Sequence, residues 1–207
     1  MGVRYSVAGT VPSRGLVVSN HLSHIDILIY GAITPAFFVS KAEVRRWPYF
    51  GRAARTGGAL FIDRSSRWSA RIVALQIAER LMLPVPVLLF PEGTSTDGSQ
   101  ILRFHSALFE PAAQGAFPVT AAAIRYVLED GMPERELCWY GDTLFLPHLI
   151  KLLGARGFSA QVRFGQARVY PDRRTAAIAT HDEVADLRAI LIAAGASEAI
   201  PSLSRAD

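Results

Sequence analysis

Short apolar runs bounded by Gly, Pro, Ser or Asn punctuate this chain, and longer stretches with a helical apolar repeat separate them. The runs predict strands over residues 3–8, 16–19, 37–40, 59–62, 85–90, 119–125 and 160–164. A helix is expected to follow Ser23, because Ser23-x-x-Asp26 has the form of a capping box. A second is expected over 68–82, with Ile72, Leu75 and Met82 inward and Ser65 or Ser66 as its cap. Residues 106–114 and 144–153 also read as helical. The last helix should open at the capping box Thr180-x-x-Glu183, bury Val184, Leu187, Ile190 and Leu191 as one stripe, and end at Gly195. Alternation of this kind predicts a single α/β domain, a mixed twisted sheet flanked by helices. We place that domain at 1–195, with 196–207 as a frayed tail.

Composition agrees with one domain. The chain has 207 residues, 50% hydrophobic and 19% charged, enough to build an ample core. The single cysteine, Cys138, rules out an internal disulfide and suits a reducing compartment. Residues 1–15 lack the apolar segment of a signal peptide. The greasiest stretch, 81–90, is too short to span a bilayer and is broken by Pro84 and Pro86. A soluble or peripheral protein is expected.

Charge changes that picture locally. The formal net charge is +4, yet residues 41–71 hold eight basic side chains against Glu43 and Asp63. Arg45 and Arg46 there stand beside Trp47, Tyr49 and Phe50. Arginines next to interfacial aromatics suit an anionic membrane surface or a phosphate-bearing ligand. No nucleic-acid-binding motif accompanies the charge, so no nucleic-acid partner is expected.

Candidate chemistry collects in four blocks. In Asn20-His21-Leu22-Ser23-His24-Ile25-Asp26 an imidazole precedes a carboxylate by five residues. Histidine suits proton removal from a hydroxyl, and a carboxylate on its far nitrogen would fix the tautomer and stabilise the imidazolium. Five residues of regular helix turn about 140°, so His21 must sit in the loop before the helix and fold back over its first turn. No serine nucleophile elbow occurs, which points to direct action on a substrate hydroxyl. The second block, Gly58 to Arg64, ends a strand in Asp63-Arg64, where Arg64 could hold a phosphate or carboxylate. In the third, Phe90-Pro91-Glu92-Gly93-Thr94-Ser95-Thr96-Asp97-Gly98, a strand empties into a loop whose Glu92 can accept from hydroxyls and whose Gly93 permits close approach. The fourth, Phe117-Pro118-Val119, reads as a strand start.

In order and separation these blocks resemble the glycerolipid acyltransferase family typified by 1-acylglycerol-3-phosphate acyltransferase. Asn20-His21-x-Ser23-x-x-Asp26, Gly58-x-x-Phe61-Ile62-Asp63-Arg64 and Phe90-Pro91-Glu92-Gly93-Thr94 match its first three motifs, and Phe117-Pro118-Val119 matches the fourth more loosely. The resemblance implies acyl transfer from a thioester, acyl carrier protein or coenzyme A, to a lysolipid hydroxyl, with no cofactor and no metal. His21 would be the general base and Asp26 its orienting partner. The family's site lysine falls on Lys41, one of only two lysines here, and Lys41 with the Gly93 N–H would stabilise the oxyanion. Arg64, Glu92 and Thr94 would bind the acceptor. Where relatives carry a phosphate-binding arginine this chain has Ser95, which resembles members acting on lyso-ornithine lipid; Arg103 is the alternative phosphate ligand. Relatives also insert a helical segment ahead of the first motif, whereas nineteen residues precede Asn20 here. Docking to an anionic membrane, peripherally on its cytoplasmic face, would then rest on Arg45, Arg46, Trp47, Tyr49 and Phe50. Two other readings stay open: a metal-dependent hydrolase using His21, His24 and Asp26, with Asp63 as a distant ligand, and a non-catalytic peripheral lipid-binding protein.

Overall fold

The computed structural model describes residues 2–41, 52, 56–62 and 67–198. Among them seven strands form one sheet in the order β1-β7-β6-β2-β5-β3-β4. The strands are β1 Gly2–Ala8, β2 Leu16–Ser19, β3 Phe37–Lys41, β4 Leu60–Ile62, β5 Val87–Leu89, β6 Val119–Leu128 and β7 Gly157–Phe164. All neighbours run parallel except β6 and β7, which are antiparallel. The mixed sheet expected from the sequence is therefore present. Its centre, β2 and β5, is buried at every position, as continuous Val/Leu runs require when helices cover both faces.

The covering helices are α1 Ile25–Ile33, α2 Arg67–Leu81, α3 Glu110–Gln114, α4 Phe145–Gly154 and α5 Arg173–Glu198. Alternation along β6 splits the core. Val119, Ala121 and Ala123 face α2, α3 and α5, while Ala122, Ile124, Tyr126 and Leu128 face α1 and α4.

Several helices differ from their expected form. In α2 the buried stripe is Val73, Ile77 and Leu81; Ile72, Leu75 and Met82 are exposed. Both sets have helical spacing, and Val73, Ile77 and Leu81 are the set packed into the core with β4 and β5. Ser65 and Ser66 lie outside the described residues. The segment 106–114 is a 3-10 turn, Ser106–Phe109, followed by α3, with Pro111 in the first turn where its missing N–H costs nothing.

Helix α5 begins seven residues before Thr180. Asp172 caps it, accepting the N–H groups of Arg174 and Thr175 at 2.7 and 3.0 Å. Thr180 lies mid-helix with its hydroxyl donating to the Ala176 carbonyl (2.7 Å). Ile190 is exposed, whereas Val184, Leu187 and Leu191 are buried as expected. The helix also runs past Gly195 to Glu198. A Cβ at Gly195 would stand 2.1 Å from an Arg125 guanidinium nitrogen, so that side chain would have to move aside. No helix among the described residues is long and apolar enough to cross a membrane.

Candidate active site

Strands β2 and β5 are adjacent and parallel, with Leu16, Val17 and Val18 opposite Val87, Leu88 and Leu89. Their carboxyl ends deliver the first and third blocks side by side, at the edge where α/β sheets hold ligands. Asn20 ends β2 by a side-chain substitute for the ladder. Its Nδ2 donates to the Ile124 carbonyl (3.1 Å) and its Oδ1 accepts the Ile124 N–H (2.9 Å). That pairing frees the backbone at His21 to turn away from the sheet.

His21 is held from both sides by the third block. Its N–H donates to Glu92 Oε1 (2.8 Å), and its carbonyl accepts the Thr96 N–H (2.9 Å). The imidazole stacks on Phe90, ring centroids 4.1 Å apart and 13° from parallel. Nδ1 donates to Asp26 Oδ2 at 2.7 Å; the Asp26 side chain is fully buried, and 17% of the His21 side chain is exposed. No described residue hydrogen-bonds Nε2. The fold-back expected of His21 is thus present.

The capping box forms only in half. Asp26 Oδ2 accepts the N–H groups of Leu22 and Ser23 at 2.8 and 3.1 Å. The N-cap of α1, however, is His24, and the Ser23 hydroxyl is buried with no partner among the described residues. Asp26 therefore serves the His21 loop and the helix entry together. Its other oxygen, Oδ1, accepts from the Tyr126 hydroxyl on β6. Tyr126 is fully buried, and burial first, then the Asp26 charge, pushes its hydroxyl pKa well up, so it stays a donor.

Glu92 is 4% exposed, and each of its oxygens is engaged by backbone. Oε2 accepts the Leu102 N–H at 2.8 Å. Burial raises its pKa, opposed by those two backbone N–H donors. The carboxylate binds the His21 loop to the segment that carries Arg103, an exposed residue next to Leu102. Gly93 has φ +80°, and its N–H donates to the Phe90 carbonyl (3.1 Å). The N–H expected to face the oxyanion thus closes a turn. Thr94 is exposed. The Ser95 hydroxyl donates to the Trp139 carbonyl, and the Trp139 N–H donates to the Leu22 carbonyl (2.8 Å). Ser95 is thus turned into the protein wall.

A buried arginine, unassigned from sequence, ties the far end of this loop down. Arg188 on α5 donates to the carbonyls of Ile124 (2.9 Å) and Gly98 (2.7 Å) and pairs with Glu134 at 2.6 Å. Gly98 has φ +81°, and a Cβ there would stand 2.5 Å from that guanidinium.

Strand β3 ends at Lys41, on the same sheet edge as β2 and β5. Asp63, Arg64, Arg45, Arg46, Trp47, Tyr49 and Phe50 lie outside the described residues. His24 packs edge-on against Phe145 (4.9 Å), His148 (5.2 Å) and Trp139 (5.8 Å). Burial, helped by His148, lowers its pKa to about 4, so it is neutral at pH 7. No group of three or more His, Cys, Asp or Glu among the described residues is placed to hold a metal ion.

A family model described as Acyltransferase matches residues 3–125. The chain is 40% identical over 153 residues to a lyso-ornithine lipid O-acyltransferase of Pseudomonas aeruginosa, covering 73% of this chain and 58% of that protein. It is 37% identical over 170 residues to one from Rhodobacter capsulatus, 79% and 61% of the two chains. A 1-acyl-sn-glycerol-3-phosphate acyltransferase of Neisseria gonorrhoeae is 35% identical over 120 residues, 58% and 47%. The chain thus spans about three fifths of the length of the first two relatives. In structure it superposes on the 1-acyl-sn-glycerophosphate acyltransferase of Thermotoga maritima with TM-score 0.64 at 20% identity, covering 92% of this chain and 73% of that one, a likeness of fold.

Proposed function

This chain belongs to the acyltransferase family, and we propose that it moves an acyl group from an acyl thioester to the free hydroxyl of a lysolipid. The observation that carries this reading is the His21–Asp26 pair, with Nδ1 fixed on a buried carboxylate and Nε2 left for a substrate. Nε2 takes the acceptor's hydroxyl proton as the oxygen bonds to the thioester carbonyl carbon. Asp26 stabilises the imidazolium so formed. As the tetrahedral intermediate collapses, the carbon–sulfur bond breaks and the departing sulfur takes that proton from Nε2. No covalent enzyme intermediate and no cofactor enter.

Lys41 is the donor assigned to the oxyanion, by its place at the end of β3. Arg64 and Arg103 are assigned to the acceptor headgroup, with Glu92 acting through the His21 loop it holds. We assign lyso-ornithine lipid as the acceptor ahead of 1-acylglycerol-3-phosphate, since Ser95 brings no cation to a dianionic phosphate. The site would work at the cytoplasmic face of a membrane, supplied by acyl carrier protein or coenzyme A thioesters. Incubating the purified protein with each thioester and a panel of lysolipids, with products identified by mass spectrometry, tests this. Diacylated ornithine lipid should dominate. Absence of transfer to every lysolipid would overturn the proposal.

A further inference from the structure

Helix α4 has one charged residue, Lys151, among its ten. A helix apolar nearly all round belongs in a core or against lipid. Only His148 and Leu152 of α4 are buried. Leu144, Leu146, Ile150 and Leu153 stand 60–71% exposed. Spacings of four and three residues put Leu146, Ile150 and Leu153 on one stripe. Isolated exposed leucines are ordinary, but a continuous stripe marks an interaction face.

The apolar surface extends over the sheet. Val3, Tyr5 and Val7 lie in register with Phe158, Ala160 and Val162, core residues of the face that α1 and α4 cover. They project to that same side and are 38–49% exposed. Trp139 and Tyr140 precede the helix, Lys151 in its last turn pairs with Glu136 at 2.6 Å, and exposed Arg156 follows it. Aromatics and cations framing an apolar stripe are the anchors of a helix lying in a bilayer interface.

We propose that this face of α4 docks on a lipid bilayer and brings the site to its acceptor. The identity of that cargo rests on the acyltransferase reading above; the docking does not. The inner face of the helix places Phe145 and His148 against His24, three residues from His21. A lysolipid drawn from the docked surface would therefore meet the catalytic loop with its hydroxyl still at the interface. Exposed Arg156 at the rim and the net charge of +4 favour anionic headgroups over a second copy of this cationic chain.

The test is flotation with vesicles of phosphatidylethanolamine and phosphatidylglycerol, without an acyl donor, so that loss of transfer and loss of docking are read separately. Leu146→Glu with Ile150→Glu should lower vesicle partition about a hundredfold, as expected for two apolar side chains denied burial, with an unchanged thermal midpoint. Sedimentation velocity without lipid follows the oligomeric state. If the double variant melts early, Leu153→Glu carries the same comparison. Vesicle binding that persists in the folded variants would overturn the proposal, as would a wild type that does not float. A dimer lost on substitution with flotation unchanged would assign the face to a second copy instead.

Discussion

Tyr126→Phe isolates the hydroxyl that reaches the buried carboxylate behind His21. The ring keeps its volume and its packing on Phe158 (5.4 Å between centroids), so no cavity forms. The loss is one charge-assisted hydrogen bond, with Asp26 Oδ1 left unpartnered in a fully buried side chain. Such bonds are worth about 1.5–3 kcal/mol. For a domain of this length that is a fall in Tm of roughly 3–12 °C. Three donors remain on Oδ2, from His21, Leu22 and Ser23, so the pair should hold and kcat should fall about tenfold, far less than on loss of the base. The assay is a double-mutant cycle with Asp26→Asn, read in urea unfolding and in steady-state acyl transfer. In the Asp26→Asn background the amide can donate to Tyr126, and removing the hydroxyl should cost much less than in the wild type. Costs that agree in the two backgrounds to within about 0.5 kcal/mol would refute the coupling.

Asn20→Ala should orphan the Ile124 N–H and leave its carbonyl to Arg188 alone, at about 1–3 kcal/mol in urea unfolding; an unchanged midpoint would count against its role as the end of β2. Arg188→Leu should cost about 3–5 kcal/mol by stranding Glu134, and Arg188→Leu with Glu134→Leu should recover part of it in the same measurement. For pH, His24 sits at about 4 when folded against an ordinary 6.5. The unfolded chain then binds a proton that the folded one refuses, so stability should fall as pH drops from about 6.5 toward 4, by about 3 kcal/mol from this group. His24→Phe should flatten that slope in thermal melts at stepped pH, and equal slopes would assign it elsewhere.

Strand positions were legible because central parallel strands must be continuously apolar, and Leu16–Ser19 and Val87–Leu89 are. Helix faces were less legible. In α2 two apolar stripes compete at helical spacing, and only packing against the sheet selects Val73, Ile77 and Leu81. The start of α5 is marked by Pro171-Asp172, a cap that competes in the sequence with the Thr180-x-x-Glu183 box lying inside the helix. His21 and Asp26 could be paired because their partnership is local. Tyr126 is a hundred residues from Asp26 and Arg188 fifty-four from Glu134, and such contacts depend on strand order. Glu92 illustrates the limit best. Its motif marks it as important, but only the fold shows both oxygens spent on the backbone of His21 and Leu102.

Proton removal from the acceptor is assigned to His21, with its neighbours only positioning it. The most direct measurement is the single-turnover rate of His21→Ala with an acyl thioester and the best lysolipid of the panel, alongside lysolipid affinity. The rate should fall about 10²–10⁴-fold, with affinity within a few-fold and the folded state intact. A folded His21→Ala protein that transfers the acyl group at the wild-type rate would contradict it.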